Sequence, residues 1–135
     1  MTSEKPEITE TVNAQMPFGA TLGVRTFGDA EEVDATLEFS PDLCTAGGVL
    51  HGGVLMTLAD TAGAVCAFLN LPTGARTVTI ESKTNFLGAV RNGAVTARAR
   101  PLHAGKTTIV VETDVLDSSG RRVARTTQTQ AVLAD

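Results

Sequence analysis

One carboxylate, Asp60, lies in the middle of an otherwise apolar stretch, residues 51–70, HGGVLMTLADTAGAVCAFLN. Apolar residues recur at helical spacing around all sides of this stretch, which predicts a buried helix over 53–69. No lysine, arginine or histidine lies one helical turn from Asp60 in either direction, so no local cation neutralises it. A buried acid is costly unless it is paired or used, which makes Asp60 the first candidate for chemistry.

Other reactive combinations in the chain are weaker. Gly105–Lys106–Thr107 lacks the earlier glycine of a phosphate-binding loop, and an alternating strand pattern follows it instead of a helix. Cys44 with His51 would be a possible nucleophile pair, although a lone loop cysteine is more often inert. The chain has two histidines and no acids clustered at ligand spacing, so we expect no metal site.

Composition limits the classes of protein that remain. A chain of 135 residues with 42% apolar and 19% charged residues forms one globular domain. The net charge of −4 argues against nucleic-acid binding, and the N-terminus lacks the features of a signal peptide. The 53–69 helix, with Asp60 inside it, is too short and polar to predict a membrane span. Cys44 and Cys66 are too few for a disulfide framework, so we expect free thiols in the cytoplasm.

The pattern along the chain predicts one α+β domain. We expect a flexible tail with the start of a short helix over 1–15, and a single domain over 16–135. Strand signals begin at Leu22 and Val24, continue over 33–39, and return four times after the long helix, with a hairpin turn at Asn92–Gly93. Successive hairpins indicate an antiparallel sheet wrapped around one central helix. A second copy would cover its edge and open face, so we expect a homodimer or a dimer of dimers.

Several segments together resemble one protein family. The string GGVLHGGVLMTLADTAGA resembles the HGG-x6-D signature of hotdog-fold acyl-CoA thioesterases, in the PaaI-like (phenylacetyl-CoA thioesterase) subfamily. MPFGATLGV, TVTIESKTNFLGAV and GKTTIVVETDVLDSSGRRVARTTQTQAVL resemble that family's opening segment, the strand after its helix and its closing hairpin. The resemblance covers roughly residues 16–133, and its most specific part is the spacing from HGG to the acid.

This resemblance implies roles for the residues of the signature. Asp60 is expected to act as general base on water, or as nucleophile, at the thioester carbon; burial in a helix would keep it poorly solvated. The Gly52 N–H is expected to polarise the thioester carbonyl, as unpaired N–H groups at a helix N-terminus favour negative charge. His51 helps to shape the entry turn, or merely caps it. In the family the acid and the carbonyl-binding turn come from different subunits, which would make the dimer necessary.

Other residues enter the site by resemblance alone. Many relatives carry Asn or Gln six residues before the HGG histidine, and this chain departs from them with Thr45. The remaining candidates for substrate binding are Gly53 beside the turn, Thr79 near the acid or its water, Asn85 and Phe86 near the acyl pocket, and Lys106 toward a coenzyme A phosphate. A solvated loop lysine is the simpler interpretation of Lys106.

The expected function is hydrolysis of an acyl-CoA thioester to free acid and coenzyme A. No metal or redox cofactor is expected, because coenzyme A is part of the substrate. The alternative is a hotdog domain that binds acyl-CoA or an acyl carrier without turnover, which Thr45 favours. A hotdog dehydratase or hydratase ranks last, because those enzymes space their acid and histidine differently. The acyl group is left open, since five Phe with no Trp or Tyr neither require nor exclude an aryl substrate.

Overall fold

The computed structural model of the protein describes residues 5–134. Two short helices come first, and one long helix stands between the second and third of six strands. In chain order the elements are α1 (Thr9–Gln15), α2 (Pro17–Leu22), β1 (Arg25–Gly28), β2 (Val33–Glu38), a 3₁₀ turn (Pro41–Leu43), α3 (Gly52–Leu69), β3 (Arg76–Phe86), β4 (Ala94–Ala104), β5 (Thr108–Leu116) and β6 (Arg122–Leu133).

The six strands form one antiparallel sheet in the order β1-β2-β4-β5-β6-β3. Strands β1 and β3 are its edges, and β3 is the longer of the two, with 11 residues against four. Register shifts interrupt the ladder in β3 between Thr79 and Glu81, and in β4 between Pro101 and His103. This is the predicted α+β architecture. It leaves one side of the long strand β3 without a neighbouring strand at the edge of the sheet.

Helix α3 fills the curve of the sheet and packs against β2 to β6. Leu55, Leu58, Ala62 and Cys66 are almost fully buried on it, and small residues let the strands approach closely. Its 18 residues have a mean hydropathy of 1.6, so by length and composition alone it could cross a membrane, contrary to our expectation from the sequence. Half of it is buried against the sheet, which accounts for its apolar character.

Three local expectations from the sequence need correction or completion. Leu22 ends α2 instead of starting a strand, because Pro17 at the first turn and the left-handed Gly23 after the last define a short helix. Asn92–Gly93 does not form a hairpin, since β3 pairs with β6 and not with β4. Within the segment 1–15, Val12 is buried in the core; residues 1–4 lie outside the described residues.

The outer face of the sheet, away from α3, carries paired charges. Asp34, Arg98, Asp114 and Arg125 lie in one register row across four strands. Arg98 donates from Nε to Asp34 Oδ1 at 2.9 Å, and Arg125 donates from Nε to Asp114 Oδ1 at the same distance. Two further ion pairs on the strands join Arg100 to Glu32 and Arg122 to Asp114.

Candidate active site

The Asp60 carboxylate is partly buried between α3 and β6. Gln128, which is completely buried on β6, donates from Nε2 to Asp60 Oδ1 at 2.8 Å. No ion pair to Asp60 is found within residues 5–134. The carboxylate therefore has one neutral donor on one oxygen, and its second oxygen, Oδ2, has no hydrogen-bond partner among those residues.

Two opposing causes set the pKa of Asp60. Burial raises it above the ordinary value, because the ionised form loses solvation, and the hydrogen bond from Gln128 lowers it by a smaller amount. The net result is a raised pKa, so this carboxylate holds its proton more tightly than a solvated aspartate does. Such a carboxylate, once ionised, is a stronger base and a stronger nucleophile than an exposed one.

A chain of polar side chains leads to Asp60 from the edge strand. Gln128 and Gln130 in it are buried, Thr77 is partly buried and Thr79 is exposed, and the sequence reasoning named only Thr79 among them. Thr77 donates from Oγ1 to Gln130 Oε1 at 3.0 Å, and Gln130 donates from Nε2 to Thr79 Oγ1 at 2.8 Å. Thr79 Oγ1 also lies 3.5 Å from Gln128 Nε2, so Thr79 shares Gln128 with Asp60. The sequence signal was two glutamines two residues apart, which places both on one face of a strand. Threonines at the alternate positions hid this signal, because they make the other face of the strand polar as well.

The N-terminus of α3 has one unused donor. His51 is the N-cap, and its Nδ1 accepts from the Gly53 N–H at 2.8 Å, so the ring hydrogen lies on Nε2. The N–H groups of Val54 and Leu55 both point to the His51 carbonyl, at 2.9 and 3.4 Å. Only the Gly52 N–H, among the first four of the helix, finds no acceptor in the described part of the chain. It is therefore the donor available to an incoming carbonyl oxygen.

Phe86 packs against this turn from the end of β3. A Cβ added to Gly52 would lie 3.0 Å from Phe86 Cζ, so glycine allows the ring to approach the backbone closely. The ring is half exposed. Asn85 is on the other face of β3, in register with Arg125, and its Oδ1 accepts from Lys83. Of this predicted pair, only Phe86 faces Gly52.

Asp60 and Gly52 of one chain cannot act on the same atom. Asp60 is eight residues along the helix from Gly52, which corresponds to about 12 Å along the axis. A thioester carbonyl bound at the Gly52 N–H therefore lies out of reach of the same chain's carboxylate. The two halves of the candidate site meet only if a second copy supplies one of them.

The other predicted residues lie apart from Asp60. Thr45 is exposed in the loop before α3, where its N–H bonds to the Val49 carbonyl. Lys106 is exposed in the β4–β5 turn, at the end of the sheet opposite to Phe86, and has no partner among residues 5–134. Phe86 is eight residues along the strand from Val78, whose row lies near this turn, and this corresponds to about 26 Å.

Neither cysteine forms a nucleophile pair. Cys44 donates from Sγ to the Ser40 carbonyl at 3.6 Å, and burial raises the pKa of the Cys66 thiol to about 11.

No group of three or more metal-ligating side chains occurs within residues 5–134. A cavity of about 400 Å³, lined by Ala89, Val90, Arg91, Asn92, Asp117, Ser118 and Arg121, does not include Asp60 or Gly52.

Solved structures share this architecture over nearly the whole chain. Thioesterase HI1161 from Haemophilus influenzae superposes with a TM-score of 0.86 at 30% identity, covering 99% of this chain and 96% of that one. A variant of thioesterase PA1618 from Pseudomonas aeruginosa superposes with a TM-score of 0.85 at 31% identity, covering 93% of each chain. The hotdog fold that the resemblance implied is confirmed.

Sequence comparison gives the same relationship. The chain is 31% identical to the 1,4-dihydroxy-2-naphthoyl-CoA hydrolase of Escherichia coli over 86 residues, which are 64% of this chain and 63% of that protein. Among curated relatives, the aligned segment spans from 57% to 90% of the relative's own length. The thioesterase superfamily profile matches residues 47–124, which include α3 with its HGG turn and Asp60. With more than half of its length matched and the fold shared, the chain belongs to the thioesterase superfamily of hotdog proteins.

Proposed function

We propose that this protein hydrolyses the thioester of an acyl-CoA, releasing a free acid and coenzyme A. One observation carries the proposal: the chain holds a half-buried carboxylate with an unused oxygen, Asp60 Oδ2, and a helix N-terminus with an unused donor, the Gly52 N–H. The name of the E. coli relative describes a CoA thioester hydrolase, which supports the same substrate class.

Each group has a defined task in this reaction. The Gly52 N–H donates to the thioester oxygen and stabilises the negative charge that develops when the carbon is attacked. Asp60 Oδ2 takes a proton from water, whose oxygen then bonds to the carbon. In the alternative route Oδ2 attacks the carbon directly, and water then hydrolyses the resulting mixed anhydride to the free acid and the restored carboxylate. The carbon–sulfur bond breaks, and the coenzyme A thiolate leaves and is protonated. Coenzyme A is part of the substrate, and the mechanism uses no further cofactor.

The site is completed by a homodimer in this proposal. Strand β3 is an 11-residue unpaired edge that exposes Val78, Ile80 and Phe86, with 48%, 61% and 51% of their surfaces accessible. Exposed apolar edge strands favour pairing with another strand, and antiparallel pairing of β3 with a second β3 gives a closed two-fold dimer. The Phe86 end of one copy then lies beside the Arg76 end of the other, which can bring Asp60 of one chain toward Gly52 of its partner.

Antiparallel pairing also brings Lys106 of one chain to the end where the other chain's Gly52 lies. Lys106 has no partner among the described residues, whereas most strand arginines are committed to carboxylates. A free ammonium group is available to the phosphates of coenzyme A. The PaaI-like subfamily, the cytoplasmic location and the roles of Thr45, Gly53 and Asn85 in substrate binding remain predictions.

Asp60→Asn tests the reaction itself. We expect the wild type to release thiol from some members of a panel of aryl-acetyl, benzoyl and straight-chain CoA esters, and the variant to lose about 10²–10⁴-fold in kcat because the amide cannot take a proton. The measurement is thiol release with a colorimetric reagent. If the wild type binds acyl-CoA but releases no thiol from the whole panel, the non-catalytic binding domain is the correct function.

The same substitution should make the folded protein more stable at neutral pH. Because folding raises the pKa of Asp60, its ionised form is disfavoured in the folded state, and this loss of stability grows as pH rises through the raised pKa. Asn carries no charge, so the melting temperature of Asp60→Asn should exceed that of the wild type at pH 7. The difference should vanish below the ordinary pKa of aspartate. An unchanged melting temperature at pH 7 would contradict the raised pKa.

Gly52→Pro and Gly52→Ala isolate the carbonyl-binding donor. Both substitutions place a Cβ against the Phe86 ring, but only proline removes the N–H, and the first position of a helix tolerates proline. We expect Gly52→Pro to have kcat about 10²–10³-fold below that of Gly52→Ala. Circular dichroism verifies that both variants fold. Equal rates in the two variants would remove the Gly52 N–H from the mechanism.

Ile80→Asp tests the dimer, with Leu102→Asp as a control of equal exposure, 61% against 59%. A pair of aspartates near the two-fold axis repel each other, so Ile80→Asp should elute as an inactive monomer in size exclusion with light scattering, whereas Leu102→Asp should remain an active dimer.

Co-refolded Asp60→Asn and Gly52→Pro chains should recover about a quarter of wild-type activity, since half of the dimers are mixed and each mixed dimer has one intact site of two. No recovery would place both groups of a site in one chain.

A further inference from the structure

Gln128 is completely buried, yet half of its amide makes no hydrogen bond. Its Nε2 donates to Asp60 Oδ1 at 2.8 Å, while its Oε1 has no partner among residues 5–134. A leucine would fill this place without leaving a buried acceptor unpaired. The glutamine is therefore poorly explained by packing, and the group that it serves is the carboxylate.

The helix is shaped to admit this amide. Gly63 lies three residues after Asp60, on the same face of α3, and a Cβ at that position would lie 2.1 Å from Gln128 Oε1. Any side chain at Gly63 would displace the amide from its place beside Asp60. The lack of a side chain at Gly63 therefore leaves the room in which the Gln128 amide reaches Asp60.

The orientation of the amide follows from the charge of its acceptor. An ionised carboxylate only accepts hydrogen bonds, so Gln128 must present its NH₂ group to Asp60 and turn Oε1 toward Gly63. The second Nε2 hydrogen faces Thr79 Oγ1 at 3.5 Å, and Thr79 is held by Gln130 at 2.8 Å. The contact with Asp60 Oδ1, at 2.8 Å, is the shorter of the two that Nε2 makes, so the bond to the carboxylate does not depend on the Thr79–Gln130 contact.

We propose that Gln128 is a positioning residue for Asp60: it holds Oδ1 and leaves Oδ2 directed at the reacting atom. This inference rests on the proposed function. A neutral donor suits the task, because a lysine or arginine at this place would stabilise the carboxylate strongly and weaken it as a base. Gln128 orients the carboxylate while leaving it reactive.

No charged side chain of the described residues contributes to the pKa of Asp60, whose causes are burial and Gln128 alone. On α3 the other ionisable group is the Cys66 thiol, with a pKa of about 11, and the cap residue His51 is nine residues before Asp60. The charged residues of the strands packed against α3 belong to register rows on the outer face of the sheet. They are Asp34, Glu38, Arg76, Glu81, Lys83, Arg98, Arg100, His103, Glu112, Asp114, Arg122 and Arg125.

The test compares Gln128→Leu with Gln130→Leu, a matched change two residues along the same face of β6. Loss of the Gln128 donor should raise the pKa of Asp60, measured by NMR titration of its side-chain carboxyl carbon. It should also move the acid limb of kcat/KM to higher pH and lower kcat by about 10²-fold with KM little changed. Gln130→Leu should leave the pKa of Asp60 and the acid limb near their wild-type positions.

The carboxyl titration separates the two proposals. If Gln128→Leu leaves the pKa of Asp60 unchanged, the positioning role is overturned whatever the protein catalyses. If both variants raise it equally, the effect belongs to the whole chain of polar side chains, and the specific role of Gln128 is overturned. If only Gln128→Leu raises it while the wild type hydrolyses no acyl-CoA, the hold of Gln128 on Asp60 stands and the proposed hydrolysis fails.

Discussion

The proposed site depends on a half-buried carboxylate, Asp60, that has no cation beside it among residues 5–134. An ionised side chain in a poorly solvated place is unfavourable, and proteins usually offset that by adding a lysine or arginine. Here the offset is one amide hydrogen bond, from Gln128 to Asp60. Because that bond is weaker than an ion pair, burial remains the larger effect and the pKa of Asp60 stays raised. Arg98 and Arg125 are instead used on the outer face of the sheet, where Asp34 and Asp114 bind them.

Helix geometry decides how the rest must be assembled. The donor at Gly52 and the acid at Asp60 lie at fixed positions on one rigid helix, too far apart to meet at one carbon. In the proposed reaction, one chain therefore carries both groups but does not complete the site by itself. The exposed β3 edge is the surface on which we propose that two chains pair, so that the proposed activity depends on the proposed dimer.

Much of this could be predicted from the sequence. The apolar stretch around Asp60 gave a helix whose observed bounds, Gly52–Leu69, differ little from those expected, because helical periodicity over five turns is a strong signal. The turn at Asn92–Gly93 was misjudged, since a local turn signal does not say which strands pair. Gln128 and Gln130 were missed because the inner face of β6 carries polar residues at the places where apolar ones usually indicate orientation. The helix that packs against such a strand decides which of its faces is buried. That helix is too far away in the sequence for a local pattern to show its effect.

The close approach of Gly63 to Gln128 has a consequence for how this domain can diversify. A hydrogen atom is the largest substituent that position 63 admits while the amide is in place. Substitutions at the two positions are therefore coupled: alanine or serine at 63 would move the end of the Gln128 side chain out of its place. A descendant that gained a side chain on the helix at 63 would give up this hold on the acid, even with the glutamine on the strand retained.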